Sequence, residues 1–167
     1  MSRDPTLLNR KHAALVIVDI QERIVNVMSR RDAVIEETVK LIQGFRILNI
    51  PLFYTEQYPK GLGRTVPRIL EQLKGINPFE KQTFSICGQM ALMRAIEERG
   101  LQQIVLAGIE AHVCVWQSAM DLKHFGFQVH VAVNAVCSRK DIDYETVISQ
   151  MRQQGILVTT TAVSYTH

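Results

Sequence analysis

Six short apolar runs alternate along the chain with longer stretches whose apolar residues recur every three or four positions. The run 13–18 (AALVIV) is aliphatic and shows no polar alternation, as in a strand buried on both faces. From 29 to 48 the positions Val34, Ile35, Leu41, Ile42 and Phe45, with Thr38 on the same side, have helical spacing. Ser29 is the candidate N-cap, with Asp32 three residues on. Residues 50–55 (IPLFYT) predict a second strand entered at Pro51, where a missing N–H costs least. Between 56 and 75 the pattern becomes a loop with a short helix over 66–73. Residues 80–83 form a weak third strand, and 87–99 a helix that stops at Gly100. A fourth strand over 103–107 leads to a helix over 112–125, stopped by Gly126, and a fifth strand over 127–133. A helix over 141–154, with Ser138 as candidate N-cap and Gly155 at its end, precedes a sixth strand over 156–160.

Strands that alternate with helices predict βαβ units, a parallel sheet and right-handed crossovers. Ligands of such sheets bind beyond the carboxyl ends of the strands, where the strand order reverses. The positions to inspect are therefore Asp19, then Glu56 and Gln57, then Phe84 and Ser85, the 108–114 turn, and Asn134.

Composition narrows the class. A length of 167 residues fits one domain, taken as 1–167 with a core over about 13–160. With 47% apolar and 21% charged residues the chain has enough apolar surface to fold. The net charge of +3 comes without a Lys/Arg block, so no basic stripe points to nucleic acid. Three cysteines, Cys87, Cys114 and Cys137, are too few and too unevenly numbered for a disulfide framework. No apolar run approaches the roughly 20 residues of a membrane span, and residues 1–11 lack the apolar core of a signal peptide. The expected setting is the cytoplasm.

Three residues carry candidate chemistry, each with a plainer alternative. Asp19 directly follows a buried strand, where a carboxylate needs partners or a task; it can also be an ordinary turn acid. Cys114 falls in the first turn of the predicted 112–125 helix, where free N–H groups and the helix dipole favour a thiolate or an oxyanion; buried structural thiols are also common. Lys81 lies in a short strand flanked by Phe79 and Phe84. Pointing inward it would lower the thiol pKa and fix Asp19; pointing outward it would guard a sheet edge.

The segments ALVIVDIQ, TEQYPKGLG, EKQTFS and LAGIEAHVCVWQSAMDL resemble those of the isochorismatase-like cysteine hydrolases, over about 13–160. The resemblance implies a three-layer α/β/α sandwich around a six-stranded, mostly parallel sheet of Rossmann-like order. It implies an Asp–Lys–Cys triad at Asp19, Lys81 and Cys114. A cis peptide at Ile109–Glu110 and an oxyanion hole from the backbone N–H groups of Glu110 and Cys114 are implied too. Gln21, Tyr54 and Phe84 are the expected pocket residues, and a dimer or larger homo-oligomer is the expected assembly. Similar proteins continue past the sixth strand into a covering helix. Here the chain ends at VTTTAVSYTH, so the face beside that strand is expected to be exposed, disordered or covered by another subunit.

The metal-dependent nicotinamidase branch carries Asp-x-His after the second strand. Here Thr55, Glu56, Gln57, Tyr58 and Pro59 contain no His. Glu56 alone is not a metal site, so no metal and no other cofactor is expected. A Cys nucleophile favours cleavage of a small amide-type C–N bond over vinyl ether hydrolysis of the isochorismatase kind. An idle interaction protein on the same fold is the alternative from another class. The 60–64 segment (KGLGR) lacks phosphate-loop spacing and reads as a flexible surface loop. His112 suits a cap or interface, Trp116 a core or subunit contact, and Cys87 and Cys137 are expected to be buried bystanders.

Overall fold

The aliphatic runs of the sequence become the middle layer of the molecule. The computed structural model describes residues 4–166. In chain order the elements are β1 (Ala13–Val18), α1 (Glu22–Val25), α2 (Arg31–Ile47), β2 (Leu52–Gln57), α3 (Pro59–Leu62), α4 (Pro67–Leu70), β3 (Phe79–Lys81), α5 (Met90–Glu97), β4 (Gln103–Ile109), α6 (Trp116–His124), β5 (Gln128–Cys137), α7 (Asp141–Gln153), β6 (Leu157–Thr159) and α8 (Thr161–Thr166). The strands form one sheet of order β3-β2-β1-β4-β5-β6, and every pairing is parallel. The order reverses between β1 and β4, which is the switch point where ligands of such sheets bind.

The period of two along each strand divides the core. Leu15, Ile17, Leu52, Tyr54, Val105 and Ala107 pack on one face with Val34, Leu41, Ile42 and Phe45 of α2. Ala14, Val16, Phe53, Ile104 and Leu106 pack on the other with Leu92 and Ile96 of α5, Leu122 of α6 and Ile148 of α7. No helix among the described residues is long and apolar enough to cross a membrane.

Several local expectations need correction. Ser29 does not cap α2: Arg30 holds that position without a side-chain cap, and the Ser29 hydroxyl donates to Asp141 Oδ1 at 2.8 Å. Ser138 does not cap α7 either; Lys140 stands there, and Ser138 Oγ meets His112 Nδ1 at 2.8 Å. The expected 87–99 helix is shorter, because Gln89 caps α5 by accepting from the Ala91 N–H at 3.0 Å. The expected 112–125 helix opens with a π turn over Ala111–Val115. The KGLGR segment is partly helical in α3, and Arg64 beyond it pairs with Glu56.

The fifth strand runs past 133 because it bulges. Leu106 pairs with Val131, but Gly108 pairs with Val136, so β5 carries extra residues between the two pairs. Asn134 in this bulge donates to Glu37 Oε2 at 2.6 Å and accepts from the Thr161 N–H at 2.8 Å. It thereby fastens α8 beside α2, against which α8 packs. A helix does follow the sixth strand, contrary to expectation.

Candidate active site

Strand register brings the polar residues together. Val18 pairs with Thr55, and Gln57 pairs with Lys81, so the carboxyl ends of β1, β2 and β3 lie side by side. Just past β1 the chain turns through Asp19, whose φ of 51° is rare for a residue other than glycine. Its carboxylate is buried. Oδ1 accepts from Thr55 Oγ1 at 2.7 Å, and Oδ2 accepts from Lys81 Nζ at 2.6 Å. Lys81 is buried too and points inward. Its ammonium also donates to Gln57 Oε1 at 2.7 Å and to the carbonyls of Thr83 and Phe84, each at 3.0 Å.

Cys114 arrives from the other side of the switch point. Val18 pairs with Gly108, and β4 passes so close to β1 that a Cβ on Gly108 would lie 2.0 Å from the Val18 carbonyl oxygen. The Ile109–Glu110 peptide that follows is cis. The π turn then carries Cys114, whose thiol lies on the same cavity as the Asp19 carboxylate, near enough to feel its charge. Ser118 Oγ donates to the Cys114 carbonyl at 2.6 Å and accepts from the Ile86 N–H at 3.0 Å, tying this turn to the segment beyond β3.

The electrostatics differ from the expectation at the thiol. Burial and the adjacent Asp19 carboxylate push Cys114 up to about 12, against the opposing pull of Lys81 and of the Glu110 backbone. The positive charge near the sulfur is engaged by Asp19, and little water reaches the site, so the resting group is a thiol and not a thiolate. Burial raises Asp19 above its ordinary range, while Lys81, Thr55 and Cys114 oppose that by charge and hydrogen bonds. A carboxylate with a raised pKa is a better proton acceptor than an ordinary Asp.

A cavity of about 220 Å³ opens onto this group, lined by Asp19, Gln57, Phe84, Glu110, Cys114 and Arg139 together with Ile24, Leu62, Ile109 and Val113. Larger clefts lie elsewhere; one of about 420 Å³ faces the amino ends of the strands, beside Gln102, Gln103 and Gln128, away from Asp19 and Cys114. Of the three expected pocket residues, only Phe84 lines the cavity. Gln21 is wholly buried behind it, where its amide donates to the Gln57 and Gly63 carbonyls and accepts from the Gln57 N–H at 2.7 Å. Tyr54 points into the α2 layer because it shares the phase of Leu52, opposite to Thr55.

The sequence did not single out Arg139, Thr55 or the Glu110 side chain. Arg139 Nη2 donates to Glu110 Oε1 at 2.8 Å, and its Nε reaches both carboxylate oxygens at 3.2 Å. Burial pushes Glu110 up, but the hydrogen bonds and charge of Arg139 outweigh that and hold it below the usual carboxylate range. Among the described residues no three His, Cys, Asp or Glu side chains gather as a metal site would require. Glu56 is buried against the Thr65 N–H at 2.8 Å and Arg64 Nε at 3.0 Å. Trp116 is half-buried against the second core layer, as is Cys87, and Cys137 is buried in the first.

Comparison with known proteins bears on this arrangement. A model of the isochorismatase domain matches residues 13–163. Isochorismatase domain-containing protein 2 of Danio rerio is 37% identical over 155 residues, which cover 92% of this chain and 77% of that one. Among solved structures, the MAR1 ribonuclease of Caenorhabditis elegans matches with a TM-score of 0.88 and 39% identity, over 95% of this chain and 82% of that one. The YcaC gene product of Escherichia coli, described as an octameric hydrolase of unknown specificity, matches with a TM-score of 0.90 over 98% and 82%. At 21% identity that last likeness speaks to the fold alone.

Proposed function

This chain belongs to the isochorismatase domain family, and from that membership we propose that it is a metal-independent cysteine hydrolase of small amide-type substrates. The observation that supports this most is the placement of one buried carboxylate, Asp19, between an ammonium at 2.6 Å and a thiol, on one small cavity.

In the proposed cycle, Cys114 Sγ attacks the amide carbon as Asp19 takes the thiol proton. The thiol is protonated at rest, its pKa pushed up to about 12, so the cycle needs this base. Backbone N–H groups of Glu110 and Cys114 receive the oxyanion. The C–N bond breaks, and Asp19 returns its proton to the leaving amine. Water then attacks the thioester with Asp19 as base. The acid leaves, and the proton restores the thiol. Lys81 keeps Asp19 oriented throughout.

Turnover of a panel of small amides tests the proposal. Cys114→Ala is expected to lower the rate by about 1,000-fold or more, and a chelator is expected to have no effect. Turnover that survives Cys114→Ala would overturn the nucleophile, and loss in chelator would overturn metal independence. RNA cleavage, the activity for which the C. elegans relative is named, is the competing outcome. A cavity of 220 Å³ is smaller than the roughly 300–1,000 Å³ typical of drug-sized ligand sites, which favours a small substrate. A homo-oligomer in the cytoplasm completes the proposal, and a monomer in sedimentation would remove the assembly from it.

A further inference from the structure

The side chains around the cavity also bear on which amides would fit. Its charges come in opposed pairs. Asp19 is matched by Lys81 at 2.6 Å, and Glu110 by Arg139 at 2.8 Å. The Arg139 backbone N–H also donates to Glu110 Oε2 at 3.2 Å, so that carboxylate is held by three groups of one residue. The Gln57 amide is committed as well: Oε1 accepts from Lys81, and Nε2 donates to the Gln82 carbonyl at 3.1 Å. What remains of the lining is apolar, with Ile24, Leu62, Phe84 and Val113 as its walls.

Resting on the hydrolase reading above, we infer that the substrate is a small uncharged amide whose acyl group is apolar, and that the site rejects analogues bearing a carboxylate. An anionic tail has no uncommitted cation to meet. Arg139 keeps Nη1 donors that Glu110 does not use, but its charge is already matched by that carboxylate at 2.8 Å, so a second anion there would stand beside Glu110 with no cation of its own, which is unfavourable. An apolar tail displaces water from the walls instead, and each buried methylene strengthens binding by about fourfold.

Two compounds of the same shape separate these cases: 4-methylpentanamide and succinamate, in which a carboxylate replaces the isopropyl group. Calorimetry on Cys114→Ala protein reads binding without turnover. The expected result is binding of 4-methylpentanamide at least about tenfold tighter than succinamate. Leu62→Ala in that background weakens the first and leaves the second unchanged. Glu110→Gln narrows the gap, because it frees the Arg139 guanidinium. Equal or tighter binding of succinamate, or binding of neither, would overturn the inference. If Glu110→Gln does not fold, the Leu62→Ala comparison decides alone. The two proposals fail separately. Tight binding of 4-methylpentanamide with no hydrolysis of any amide by the unmodified protein would sink the hydrolase reading and spare the preference of the cavity for an apolar, uncharged ligand. Preferential hydrolysis of succinamate would do the reverse.

Discussion

Asp19 sits between an ammonium and a thiol, and in the proposed cycle its titration sets the pH dependence. The proposed base is the carboxylate, so the rate falls as pH drops through its pKa. Burial has raised that pKa, so the acid limb of kcat/KM is expected above the ordinary Asp value of about 3.9. Cys114 stays protonated up to about 12, so no alkaline rise from thiol ionisation is expected between pH 7 and 10. A profile that climbs with a midpoint near the usual thiol value of about 8.5 would contradict a base-assisted thiol. Labelling with iodoacetamide gives a second check. Cys114 and Cys137 are both pushed up to about 12, so ionisation alone does not favour either. Cys114 is expected to label faster than Cys137 in the unmodified protein and to lose that advantage in Asp19→Asn. The three motif residues were legible because each follows, or sits in, a recognisable segment. Tyr54 was misread for a physical reason: a strand buried on both faces has no polar alternation, so its sequence does not say which side chains face the site. Gln21 lies past β1, at the start of α1, where its amide is taken up by the backbone of Gln57 and Gly63.

At the scale of elements, the site depends on how closely β1 and β4 approach. Gly108 has a φ of 130°, and its Cα faces the Val18 carbonyl. Gly108→Ala would place a methyl group 2.0 Å from that oxygen, with backbone and not a flexible side chain in the way. The strands must part or the turn before Cys114 must rebuild, at a cost on the order of 3 kcal/mol or more. A urea melt measures this as a lower midpoint; an unchanged midpoint would show that the approach is not tight. The strand–helix alternation was legible from periodicity. The four-residue helices α1 and α3 were not, because a single turn is too short to show a period. The bulge in β5 had the largest consequence. Asn134 interrupts the apolar run, so the strand reads as ending at 133, and the position after it was taken as Asn134. The strand resumes through Val136 and Cys137, and the residue that reaches the cavity is Arg139.

Over the whole molecule, two apolar layers share one sheet. Leu15, Ile17 and Val105 belong to the layer under α2, while Ala14, Val16 and Ile104, their chain neighbours, belong to the layer under α5, α6 and α7. If either layer melts, β1 and β4 lose the contacts on one face, and the other layer then packs on unsupported strands. The site spans both layers, since Asp19 and Lys81 hang from β1 and β3 while Cys114 rides on the turn into α6. The chain is therefore expected to unfold as one cooperative unit. Trp116 is its single tryptophan and lies in the second layer, against the turn that holds Cys114. Far-UV circular dichroism instead reports every helix, with the 17-residue α2 of the first layer the longest. In urea, the tryptophan fluorescence and the circular dichroism are expected to change with the same midpoint and the same slope. A fluorescence transition at lower urea than the helical one would mean that the α6 layer, with Cys114, opens while the sheet and α2 persist. The group of Asp19, Lys81 and Cys114 would then be assembled from two separately stable parts, and Asp19 would keep Lys81 after losing the thiol.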